Sequence, residues 1–145
     1  MGMKRALVLL ALTAGFSTGG KAQTTTSRQP EPREFQMKEG DTTYTMRRYI
    51  MVLLYRGKKA NKIPKDELAK LQDGHMSNIS HMFRDGKLLV AGPMGDDSKL
   101  RGIFILDTET IEEAKALVEA DPSIRAGRLR AEYHPWWTAK GTIIR

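Results

Sequence analysis

At 145 residues, with no cysteine and a formal charge of +7, the chain is sized for a single domain, excludes a disulfide framework, and must be held by its core alone. Its basic residues are spread along the sequence and do not interleave with aromatic ones, which argues against nucleic acid as a partner. Phosphate-loop and dinucleotide-binding fingerprints are absent, so nucleotide chemistry has no sequence support.

Met1 to Ala22 reads as a cleavable secretion leader. Lys4 and Arg5 form its basic start, Ala6 to Phe16 its apolar run, and Gly20-Lys21-Ala22 puts small residues at the two cleavage positions. The run is about half of the roughly 20 residues needed to span a bilayer. The expectation is therefore a periplasmic or secreted protein with no stable membrane insertion after cleavage. Gln23 to Thr43, with its repeated Thr, its Gln and Pro30-Glu31-Pro32, is expected as a disordered linker. The domain itself is expected over residues 44–137, and residues 138–145 as a tail.

Tyr44 to Arg56 is the first strand. Tyr49, Met51, Leu53 and Tyr55 fall on one face and Ile50, Val52 and Leu54 on the other, so both faces should be covered. A polar connection leads to Pro64, suited to the first turn of a helix, with Asp66 and Glu67 at the positive end of the helix dipole. Leu68, Leu71, His75, Ile79, Met82 and Phe83 form its inward stripe, and Gly86 ends it. Gly74 weakens the middle by about 1 kcal/mol relative to alanine, which admits a kink or a break there.

Lys87 to Ala91 is the second strand, turned by Gly92-Pro93, and Gly102 to Leu106 is the third, again apolar on both faces. Thr110 with Glu113 makes a capping box, and Ile111, Ala114, Leu117 and Val118 give the second helix its inward stripe. Asp121-Pro122 ends that helix. Arg128 to His134 is the last strand, with Leu129, Ala131 and Tyr133 inward, and Pro135-Trp136-Trp137 opens the tail.

The order strand, helix, strand, strand, helix, strand is the ferredoxin-like βαββαβ plan, an α+β fold with a four-stranded antiparallel sheet and two helices on one face. One copy leaves an apolar sheet face bare. A homodimer joined sheet to sheet about a two-fold axis follows from that pattern.

The chemistry centres on His75, a titratable ring in a slot of the helix stripe where leucine belongs. A structural core histidine with a satisfied hydrogen bond would give the same pattern. His81, about 240° further round the helix, falls on the solvated side, so the two histidines do not share a metal.

His75, then Gly86-Lys87-Leu88-Leu89 and Ala91-Gly92-Pro93, then Thr110-Ile111-Glu112-Glu113-Ala114, then Asp121-Pro122 with Ala126-Gly127, then a strand ending at Pro135-Trp136, resembles the YciI-like (YCII-related) family. The similarity covers about Tyr44 to Trp137. It implies a dimeric α+β barrel with a site built from a helix histidine and the aspartate of an Asp-Pro motif, here His75 and Asp121. A member of the family with an assigned reaction is a cofactor-free dehydrochlorinase of chlorinated hydroxyquinols, and muconolactone isomerases share the barrel. Asp121 also has a plain reading as a helix-end residue before proline. Gly92, Pro93 and Trp136 are the expected ligand contacts, with turn and packing roles as their ordinary alternatives.

A His–Asp pair needs no cofactor and no metal to abstract or return a proton in an elimination or isomerisation. The sequence thus points to an acid–base enzyme of the lyase or isomerase type acting on a small cyclic or aromatic molecule. A non-catalytic module that captures a small ligand in the cell envelope is the alternative.

Overall fold

The computed structural model describes residues 32–142; the leader expected over residues 1–22 and the first part of the expected linker lie outside the described residues. Strand β2 (Thr42–Arg56) is the axis on which the rest is built. Its even positions Ile50, Val52 and Leu54 are buried on one face, against Phe104, Leu106 and Leu88 of the sheet and Met82, Ala114 and Val118 of the helices. Around it follow α1 (Lys65–Arg84), β3 (Leu88–Pro93), β4 (Leu100–Leu106), α2 (Ile111–Glu119), α3 (Pro122–Arg125) and β5 (Leu129–Ala139).

The sheet is antiparallel throughout. β4 pairs one edge of β2 from Ile50↔Leu106 to Tyr55↔Leu100, β3 pairs the far side of β4, and β5 pairs the other edge of β2. This is the expected α+β plan, and the two strands apolar on both faces, β2 and β4, are the central ones. The helices cover the Val52 face. Tyr49, Met51, Leu53 and Tyr55 lie on the opposite face with Ile103 and Ile105, and no described helix covers it.

A fifth strand corrects the expected linker. β1 (Glu34–Glu39) pairs with the start of β2 from Glu34↔Arg47 to Glu39↔Thr42 across a two-residue Gly40-Asp41 turn. Because β5 occupies one edge of β2 over the same residues, β1 and β4 lie end to end along the other edge. Packed chain thus begins ten residues before the expected Tyr44. An ion cluster fastens it: Arg47 donates to both Asp107 oxygens at 2.9 and 3.0 Å and also to Glu34, Arg33 pairs with Asp107, and Lys140 reaches Glu34 at 2.9 Å. Phe35 meets the Trp137 ring edge-on at 4.9 Å.

Two other boundaries move, and the break admitted at Gly74 does not occur. α1 runs unbroken through Gly74, where the absent side chain admits another element: a Cβ there would lie 2.7 Å from Cγ of Pro122. β3 continues through Gly92 and Pro93 to pair with β4, so the reversal falls in the following residues. β5 continues through Pro135, in register with Ile50, and takes in Trp136 and Trp137 of the expected tail. Both prolines sit on outer strands, where a missing N–H breaks no ladder. Phe83, expected inward, is 65% exposed.

Candidate functional site

The helix stripe brings His75 of α1 beneath the sheet, where its ring stacks on Phe104 of β4 at 6.2 Å between centroids and 23° between planes. Its Nδ1 lies 2.5 Å from Oδ2 of Asp121. The His75 side chain is 13% exposed and that of Asp121 is 1% exposed, so the pair is shielded on the carboxylate side and reaches solvent only through the imidazole.

Asp121 is held independently of the histidine. It caps α3, a short helix the sequence reading missed, and its Oδ1 accepts from the Ser123 backbone N–H at 2.8 Å. Ser123, itself buried, donates its hydroxyl to the Leu71 carbonyl of α1 at 3.2 Å. The turn that carries the carboxylate is thereby tied to the helix that carries the imidazole, and the Gly74–Pro122 approach closes the same seam. The one carboxylate is thus both a helix-end residue before proline and the hydrogen-bond partner of His75.

A carboxylate can only accept, so the proton of the neutral ring resides on Nδ1. Nε2 keeps its lone pair and meets no hydrogen-bond partner among the described residues. The ring forms part of the wall of a cavity of about 540 Å³ between α1 and one end of the sheet. That volume falls within the roughly 300–1,000 Å³ of small-molecule sites. Leu54, Leu68, Ile79 and Phe104 make its floor apolar, while Gln72, Arg56, Arg101 and Arg128 supply polar groups.

Gly92 and Pro93, expected from the sequence as ligand contacts, line the same cavity. Trp136 does not. It packs against Tyr49, with ring centroids 6.4 Å apart, on the sheet face away from the helices, and borders a separate groove of about 1010 Å³ that also touches Phe83 and Leu89. His81 is exposed at the end of α1, and among the described residues no group of His, Cys, Asp and Glu is arranged to hold a metal. The three arginines had no sequence signal beyond their place at strand ends.

A ferredoxin-like α+β domain with a buried carboxylate–imidazole pair opening on one cavity defines the class of protein. The model of the YCII-related domain matches residues 48–136, more than half of the chain. The chain belongs to the YCII-related family. A comparison with curated proteins finds no match. Among solved structures the chain is similar to the 5-chloro-2-hydroxyhydroquinone dehydrochlorinase TftG of Burkholderia phenoliruptrix AC1100, in complex with 2,5-dihydroxybenzoquinone, at 23% identity and a TM-score of 0.38, covering 59% of this chain and 92% of that one.

Proposed function

We propose that the protein is a cofactor-independent acid–base enzyme of the lyase or isomerase type that works on a small cyclic molecule. One observation carries the reading: an imidazole on the wall of a ligand-sized cavity has its other ring nitrogen bonded to a buried carboxylate. In it, Asp121 fixes the tautomer and the ring plane, and stabilises the imidazolium once formed. Nε2 takes a proton from a substrate carbon or hydroxyl and returns it to product or leaving group. Phe104 and the aliphatic floor exclude water, which strengthens the charge interactions within the cavity. The working form is a homodimer joined through the open face of the sheet.

The test is incubation of the full protein in D2O with a panel of small enolisable or halogenated cyclic compounds, followed by NMR. Deuterium incorporation or product release should occur for at least one of them with the wild type and fall by roughly 100-fold or more with His75→Ala. Equal rates in the two proteins would refute acid–base catalysis by His75. Ligand retained by the wild type with no turnover across the panel would favour a binding module.

A further inference from the structure

The charge of the cavity is lopsided. Three of its lining side chains, Arg56, Arg101 and Arg128, are cationic, and no carboxylate lines it among the described residues. Three arginines elsewhere in the domain, Arg33, Arg47 and Arg130, each meet an acidic partner. The cavity arginines rest on neutral acceptors instead. Arg56 donates to Asn61, Arg101 to the Ser98 carbonyl at 3.3 Å, and Arg128 to Gln72 at 3.1 Å. A guanidinium has five N–H donors, so each keeps donors for a further acceptor.

The fold collects them at one end. Arg56 closes β2 in register with Leu129, beside Arg128, and its backbone N–H donates to the Lys99 carbonyl just before β4, where Arg101 sits. The three come from parts of the chain far apart in sequence. Helix α1, with Leu68 and Ile79, faces them across the cavity together with His75.

We propose that this cavity selects a small organic anion, with the apolar body of the ligand against Phe104 and the aliphatic floor and its carboxylate or phenolate facing the three arginines. The proposal rests on the acid–base reading for what the site does with its ligand, but its charge argument stands apart from His75. Three guanidinium groups held only by neutral acceptors bias the cavity towards a ligand that is anionic on arrival or becomes so on losing a proton to His75. The apolar floor disfavours a bare inorganic anion, whose charge would be desolvated on every side.

The probes are matched acid and amide pairs, benzoate with benzamide, salicylate with salicylamide, and cinnamate with cinnamamide, titrated against the full chain by ligand-observed NMR, with inorganic phosphate as a further anion. At least one acid should bind roughly tenfold tighter than its amide, and the preference should shrink as salt is raised. Arg56→Gln and Arg128→Gln should each weaken the acid severalfold and leave the amide unchanged. No acid outbinding its amide would overturn the proposal, as would phosphate outbinding every acid or arginine variants that weaken acid and amide equally. The wild-type comparison needs no variant to fold. His75→Gln separates the two readings: exchange in D2O that survives this variant, with acid preference intact, removes the catalytic role alone, whereas exchange that depends on His75 without any acid preference removes the anion site alone.

Discussion

Asp121 holds a backbone N–H with one oxygen and an imidazole with the other, and an amide in its place can satisfy only the first. In Asp121→Asn the side-chain oxygen still accepts from Ser123, so the α3 cap survives. The NH2 group that replaces Oδ2 donates to Nδ1 of His75 and drives the ring proton to Nε2, which removes the free lone pair from the cavity. The expected outcome is an unchanged circular dichroism spectrum, a switch of the protonated nitrogen in the 15N NMR signals of the His75 ring, and a fall in turnover of about 10²- to 10⁴-fold. Unchanged ring signals would count against the assigned tautomer. His75 was legible in the sequence, because an imidazole at positions four and seven from aliphatic residues is conspicuous on a helix stripe. Asp121 was not legible from pattern, since it lies 46 residues away and its local setting before Pro122 accounts for it fully; only the family resemblance joined the two. The arginines lacked any signal, because solitary basic residues at strand ends are what any soluble surface shows.

At the scale of elements, propensity and packing disagree at Gly74, and the disagreement can be measured. Helix propensity predicts that Gly74→Ala stabilises α1 by about 1 kcal/mol. The added methyl would meet the Pro122 ring at 2.7 Å, and a proline ring has little freedom to yield. Overpacking of this kind costs about 1–3 kcal/mol. The variant should therefore melt below the wild type, and its turnover should fall because α3, which carries Asp121, is pushed away from His75. A melting temperature above the wild type would show that the seam is loose. The ion cluster on β1 gives a second prediction. Burial acts to raise the Asp107 carboxyl, but hydrogen bonds and charge from Arg47 and Arg33 outweigh it and hold the group below its ordinary value. A carboxyl lower in the folded than in the unfolded chain stabilises above the unfolded value of about 3.9 and loses that contribution as pH falls through the folded one. Amide protection of Phe35 and Met37 should therefore weaken below about pH 4, and Asp107→Asn should weaken it at neutral pH by about 1 kcal/mol, solvent screening allowed for. Protection at pH 3 equal to that at pH 7 would remove the cluster as the fastening of β1. The strand escaped the sequence reading because Pro30-Glu31-Pro32 and the threonines before it coloured the whole stretch as linker. The alternation of Phe35 and Met37 ahead of Gly40-Asp41 was the available signal. Gly92-Pro93 and Pro135 misled in the opposite direction, since a proline stops a central strand but not an outer one.

At the scale of the molecule, the two sheet faces were legible from the start, because alternation in β2 and β4 set apolar residues on both sides and the helices cover only one. The uncovered face is the one through which the proposed dimer would join. Met51, Leu53 and Ile103 form an apolar centre, Tyr49 and Trp136 extend it, and Arg130, Glu132 and His134 of β5 line one side as a charged strip suited to a rim. Arg130 lies over the Tyr55 ring at 4.5 Å and pairs with Glu132, so these two charges are already matched within one chain and ask little of a partner. A carboxylate at Leu53 would put a charge at the centre of any sheet-to-sheet contact and none in the helix-side core, because Leu53 points away from Val52 and Leu54. The wild type should sediment as a dimer at micromolar concentration, and Leu53→Glu as a monomer with its circular dichroism intact. Its affinity for cavity ligands should stay within about twofold, since the site lies on the other side of the sheet from the substitution. A wild type that sediments as a monomer would leave the open face without its twin. A Leu53→Glu dimer that loses ligand binding instead would show that the two faces are coupled through the strand they share.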